Sequence, residues 1–295
     1  MSSVPVSPRR VFGVDFSAAK DAGKRTWICR AHPGSGGVRI ESVDPLCDLP
    51  GGAVARDETL RALVQKVVES PRSAWGFDFS FALPRDMMSD LAPAGGGYGR
   101  FVDAVAAYGD ADSLRDHCNG ISPGEELRRR ADDEAGTPFS PYNLRICKQT
   151  FHGIVDVLRP LRAREGVAVL PFDPLPEPDS GAGPRLPFNR SASGAVPHIY
   201  LMEVCPASVL KALDYPARGY KGAGEQTATQ RRAIVSRLVD DGLVRPLSRA
   251  LRERIVADAV DAVLAAVGAW RGYRDYDHAK LRADPHYGVE GFVYT

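Results

Sequence analysis

The sequence carries an aspartate twice at the end of the same kind of short apolar run. Phe12-Gly13-Val14-Asp15-Phe16-Ser17 and Trp75-Gly76-Phe77-Asp78-Phe79-Ser80 share the core Gly-x-Asp-Phe-Ser. Both runs read as buried strands. A carboxylate on a buried strand is costly unless it is paired or faces a cation. An Asp at a strand end also caps turns readily. Its repetition in one local setting points instead to two strands that bring two carboxylates to one cation.

The order of elements follows from periodicity and turn chemistry. Residues 10–17 form a first expected strand, Lys24 to Ala31 a second and Val38 to Val43 a third. Asp-Ala-Gly and Pro-Gly-Ser-Gly-Gly between them suit an antiparallel meander. Leu60, Leu63, Val64, Val67 and Val68 are spaced for a helix over Asp57 to Glu69, stopped by Pro71. The fourth strand, Ala74 to Phe79, follows a crossover helix and should lie parallel to the first. Parallel neighbours share a carboxyl edge, where α/β sheets hold their sites. Asp15 and Asp78 are both expected there.

Residues 85–140 read as a helical insertion, broken at Gly95-Gly96-Gly97, with a helix near Phe101 to Tyr108. Ser122-Pro123-Gly124-Glu125 has the pattern of a helix start. Asn143 to Arg164 reads as an amphipathic helix interrupted near Pro160, and Val167 to Phe172 as a short strand. Residues 173–197, rich in Pro, Gly and Ser, read as a long loop. His198 to Cys205 is an apolar strand holding one acid, Glu203, and Pro206 opens a helix through Leu213. Gln226 to Asp240 and Pro246 to Trp270 are the last expected helices. The whole is a single domain over residues 1–295: an α/β fold with a mixed sheet, antiparallel meander plus parallel strands, flanked by helices.

A third acid site comes from the segment Ile255 to Val267, which is apolar nearly all round and therefore buried. Asp258 and Asp261 lie three apart on it and share a face. Asp15, Asp78, Asp258 and Asp261 are the candidate metal ligands and catalytic acids, with Glu203 a further catalytic candidate. Hard oxygen donors of this kind suit Mg²⁺ or Mn²⁺. Two such ions can activate a water and stabilise the leaving oxygen of a phosphodiester. Lys20, Arg145, Lys221 and His152 are candidate substrate contacts. The run Arg128-Arg129-Arg130, followed by Asp132, Asp133 and Glu134, reads as a solvated face.

Composition excludes several classes. The net charge of +1 leaves no global field for nucleic acid or an anionic membrane, so any such binding rests on a local patch. Five cysteines without a Cys-x-x-Cys pair fit reduced thiols in the cytoplasm. The first ten residues lack the apolar core of a signal peptide, and no apolar run approaches the roughly 20 residues of a membrane span. There is no Ser-His-Asp order, P-loop or Gly-x-Gly-x-x-Gly.

Three hairpin strands, a helix, a fourth strand and a late acidic helix resemble the ribonuclease H-like fold. More closely, the chain resembles the family called domain of unknown function 429, whose members are predicted to be RNase H-like nucleases. The matching pieces are Gly13 to Gly23, Gly76 to Pro84, Tyr142-Asn143-Leu144-Arg145, Gln149 to Gly153, Glu203 to Ala207, Tyr220-Lys221-Gly222 and Asp258 to Ala262. The resemblance implies a metal-dependent phosphodiester hydrolase acting on DNA or RNA. Two rivals remain. An actin-like ATPase or sugar kinase shares the fold, but follows its first-strand Asp with a Gly-rich phosphate turn, where this chain has Phe16-Ser17-Ala18-Ala19-Lys20. A non-catalytic nucleic-acid-binding module would keep the fold without the chemistry.

Overall fold

The computed structural model describes residues 7–92, 97–175, 198–255 and 257–295. In chain order these form β1 Arg10–Asp15, α1 Ala22–Arg25, β2 Trp27–Pro33, β3 Val38–Pro45, α2 Arg56–Val68, β4 Ser73–Phe77 and α3 Arg85–Leu91. Next come α4 Gly97–Ala107, α5 Ala111–Ile121, α6 Arg130–Ala135, α7 Cys147–His152, a π-helical stretch Gly153–Leu158 and α8 Arg159–Arg162. The chain ends with β5 Val167–Val169, β6 Ile199–Glu203, α9 Pro206–Ala212, α10 Glu225–Asp240, α11 Arg249–Arg254, α12 Ala257–Asp275, α13 His278–Ala283 and α14 Tyr287–Glu290.

The sheet has six strands in the order β3-β2-β1-β4-β6-β5. β1 pairs antiparallel with β2, and β2 with β3. β4 runs parallel to β1 as the crossover helix requires, and β6 runs parallel to β4. Successive side chains point to opposite faces, so each strand feeds two cores. Phe12, Val14, Trp75, Phe77 and Leu201 join Leu60, Phe101 and Ile154 on one face. Phe12 stacks on its cross-strand neighbour Trp75 with ring centroids 4.0 Å apart. Val11, Ala74, Tyr200 and Met202 face α9, α10 and α12 on the other.

Gly13 and Gly76 are neighbours on that second face. A Cβ on Gly13 would lie 2.1 Å from the Ala262 carbonyl oxygen, and one on Gly76 2.4 Å from that of Ala265. The missing side chains let α12, lined with buried Ala259, Ala262, Ala265, Ala266 and Ala269, rest directly on the sheet. The acid-bearing helix is thereby brought to the strands that carry Asp15 and Asp78.

Several sequence expectations are corrected. The second strand starts at Trp27, because Thr26 N–H closes a helical turn onto the Ala22 carbonyl. Ser122 does not start a helix. It ends α5, with its N–H bonded to the Cys118 carbonyl, and Gly124 turns the chain at φ 81°. Residues 125–129 then run non-helically, held by a 2.6 Å bond from Leu127 N–H to Tyr142 Oη. The helix expected from Asn143 starts at Cys147, since Asn143 Oδ1 accepts from Arg145 N–H in a turn. It widens to π-helix over Gly153–Leu158, ahead of Pro160, whose ring and missing N–H cannot fit the regular register. The helix expected over Pro246 to Trp270 is two, separated at Ile255, whose backbone is extended. Most of the expected loop at 173–197, and Gly95-Gly96, lie outside the described residues.

Candidate metal centre

Parallel register brings the first two acids together. Val14 is level with Phe77, Asp78 N–H bonds the Val14 carbonyl at 3.0 Å, and Asp15 and Asp78 therefore leave adjacent strands side by side. Both share the face of Gly13 and Gly76, against which α12 packs. Asp261 projects from α12 at 1% exposure. One carboxylate oxygen from each of Asp15, Asp78 and Asp261 lies within 4.8 Å of the others.

Each partner of the cluster has a physical consequence. Tyr220 Oη donates to Asp261 Oδ1 at 2.7 Å, and Lys221 Nζ sits 2.6 Å from Oδ2. Burial, then the charges of Asp261 and Asp78, push the Asp15 carboxyl well above its ordinary value. Burial and Asp261 raise Asp78 to about 7, against the pull of Lys221. Burial also raises Asp261, opposed by Lys221 and Tyr220. The Lys221 ammonium is raised in turn, Asp261, Asp78 and Asp15 outweighing desolvation. Three desolvated carboxylates balanced by one ammonium form an anion-rich site, and hard oxygen donors so grouped could hold a metal ion.

Asp258 does not join them. It is exposed in the first turn of α12, one turn further out than Asp261, where a negative charge favours the helix start. Its field still raises Asp15 and Asp261. The two acids lie one turn apart on the helix, and the fold buries Asp261 while leaving Asp258 in solvent.

Glu203 is level with Phe77, one residue short of the Asp78 row. The alternation of the strand turns it to the opposite face. There Arg129 grips it through two nitrogens, Nη1 to Oε2 at 2.8 Å and Nη2 to Oε1. Arg129 also binds Asp132 through Nη2 at 2.7 Å and Nε at 2.9 Å. Phe81 N–H donates to Glu203 Oε2 at 2.8 Å. Glu203 thus anchors the insertion, and the turn that follows Asp78, to the sheet. Arg129, read in sequence as part of a solvated face, is fully buried. Its i,i+3 spacing to Asp132 is a local sign of the ion pair it makes there.

The remaining candidates are dispersed. A cavity of about 220 Å³ borders the cluster, lined by Asp15, Asp78 and Lys221 and also by Glu203 and Asp132, so Glu203 reaches the same cavity from its own face and its charge adds to the raising of Asp78. Lys20 is exposed outside its lining. Arg145 is exposed and lies 5.3 Å from the ring centroid of Phe139, a lining residue. His152 pairs through Nδ1 with Asp156 at 2.7 Å, away from the lining. Tyr220 was missed in sequence as a partner of Asp261; it stands beside Lys221 in a motif already noted. Cys205, also in the lining, has a thiol pushed up to about 12 by burial and then by Asp78, so it stays protonated.

Residues 190–283 match the model of a family described as protein of unknown function (DUF429), which supports the family resemblance read from the motifs. The match includes Glu203, Tyr220, Lys221, Asp258 and Asp261. No curated protein and no solved structure matches the chain. No helix among the described residues is long and apolar enough to cross a membrane.

Proposed function

With the DUF429 match as premise, we propose that the protein is a metal-dependent phosphodiester hydrolase of the RNase H-like kind, acting as a nuclease on DNA or RNA. The observation that carries this reading is the convergence of Asp15, Asp78 and Asp261 at the carboxyl edge of parallel strands. The antiparallel meander and the crossover to β4 support the fold side of it.

Asp15, Asp78 and Asp261 are the residues that would hold Mg²⁺ or Mn²⁺. When bound, the metal would lower the pKa of the attacking water and offset charge on the leaving oxygen. Asp15 and Asp78, on neighbouring strands, are fixed by the sheet ladder. Tyr220 orients Asp261 through Oδ1. Lys221, with its side chain 62% exposed, can swing from Asp261 Oδ2 to an incoming phosphate without repacking the core. Asp258 supplies outer negative charge, and Glu203 is assigned a supporting role through Arg129.

The test pairs binding with turnover. Mn²⁺ at a hundred times its Kd should stabilise the protein by about 2.7 kcal/mol. With Mn²⁺, labelled single-stranded RNA and DNA, RNA–DNA hybrid and branched DNA should include a cleaved substrate, and Asp78→Asn should abolish cleavage. No cleavage anywhere, with metal-dependent ATP turnover in the presence of sugars, would transfer the assignment to the kinase class.

A further inference from the structure

The cavity beside the carboxylates has a second wall unlike the first. It comes from the segment around α6 and α7 and includes Pro138, Phe139, Ile146 and Thr150. Phe139 and Ile146 are half-buried, so part of each apolar surface faces the cavity rather than the core. Thr150 is 1% exposed, yet its Oγ1 has no hydrogen-bond partner. A helical threonine ordinarily returns its hydroxyl to a carbonyl one turn back. A buried hydroxyl left unpaired carries a desolvation penalty, which a polar ligand atom in the cavity would remove. The neighbouring Gln149 is occupied, its Nε2 bonded to the Phe16 carbonyl at 2.6 Å.

The lining sets one cation, Lys221, and apolar surface beside carboxylates. Arg145, outside the lining, lies over the ring of Phe139, which is part of it. Lys221 stands on the carboxylate side. A cation beside the carboxylates suits a phosphate, and aromatic surface in the same cavity suits the face of a base. At about 220 Å³ the cavity is smaller than the roughly 300–1,000 Å³ of sites that enclose a drug-sized ligand. A single ring system fits that space and a base pair does not.

We infer that the cavity takes one unstacked nucleobase of a strand whose phosphate lies at Asp15 and Asp78, with Phe139 offering a ring face and Thr150 Oγ1 a polar contact to the base edge. The substrate class is therefore a single strand, or a junction with a splayed base, rather than a continuous duplex. The inference rests on the phosphodiesterase reading above.

Binding is measured by fluorescence anisotropy of short labelled DNA and RNA strands, with Ca²⁺ replacing Mn²⁺ to prevent turnover. Each strand is compared with its duplex and with a version carrying an abasic position. Single strands should bind more tightly than duplexes. Phe139→Ala should weaken single-strand binding at least about five-fold, and Phe139→Leu, which preserves volume, should weaken it less. Thr150→Val should weaken binding while leaving the melting temperature equal or higher, because the lost hydroxyl has no partner in the free protein. The abasic strand should be insensitive to both changes. Equal binding of duplex and single strand, or variants that bind every strand as the wild type does, overturns the base pocket while Mn²⁺-dependent cleavage still stands. Absence of both cleavage and strand binding in the wild type overturns the phosphodiesterase reading itself, and the pocket with it.

Discussion

Replacing Gly13 by alanine tests how α12 is brought to the site. The new Cβ would lie 2.1 Å from both the Ala262 carbonyl oxygen and the Ala266 nitrogen. Non-bonded heavy atoms sit comfortably at about 3.5–4.0 Å, so helix and strand must separate by more than ~1 Å. Both opposing atoms are main chain, and no rotamer change relieves the contact. Overpacking a tight core costs typically about 1–3 kcal/mol, and a backbone clash belongs at the upper end. At the roughly 2–4 °C per kcal/mol of a domain of 150–250 residues, Tm should fall by about 6 °C or more. Asp261 directly precedes Ala262, so the displacement also draws it from Asp15 and should shrink the Tm gain with Mn²⁺. Gly120→Ala is the control. It lies in α5 with nothing within 4 Å of an added Cβ, and should raise stability by up to about 1 kcal/mol. Thermal melts with and without Mn²⁺ read both effects. A Gly13→Ala protein with wild-type Tm and full Mn²⁺ response would refute the direct seating of α12 on β1.

Two further outcomes follow from buried charge. Arg129→Ala leaves Glu203 and Asp132 buried without their cation and should cost about 3–5 kcal/mol in urea unfolding; a loss below about 1 kcal/mol would show the ion pairs to be dispensable. The Asp78 carboxyl, raised to about 7 in the folded metal-free protein, favours folding when protonated. That stabilisation is complete below its ordinary value near 4 and is lost as pH rises through about 7. Relative to Asp78→Asn, metal-free wild type should therefore lose stability, on the order of a few kcal/mol, between pH 4 and 8. A difference that stays level across this window contradicts the raised value.

The features legible in the sequence were those with a local cause. Alternating apolar runs and turn residues marked the meander, the crossover helix and β4. The repeated Gly-x-Asp-Phe-Ser marked two strand ends, and parallel pairing then implied that Asp15 and Asp78 are neighbours. An apolar helix with Asp261 inside it announced a buried acid near the sheet. Tertiary structure decided the rest, because the deciding partner lay far away in the chain. Glu203 and Asp78 look alike in sequence, but a one-residue offset in register sends them to opposite faces. On its face Glu203 meets Arg129, 74 residues earlier, whose burial no local pattern reveals. Asp258 and Asp261 lie three apart on one helix, and only the tertiary packing of its first turns leaves one in solvent and the other in the cluster. The Ser122 pattern was a sound helix start in isolation. It yielded to the extended path that carries Arg129 inward, since local capping is worth about 1 kcal/mol and a buried ion pair broken open costs several.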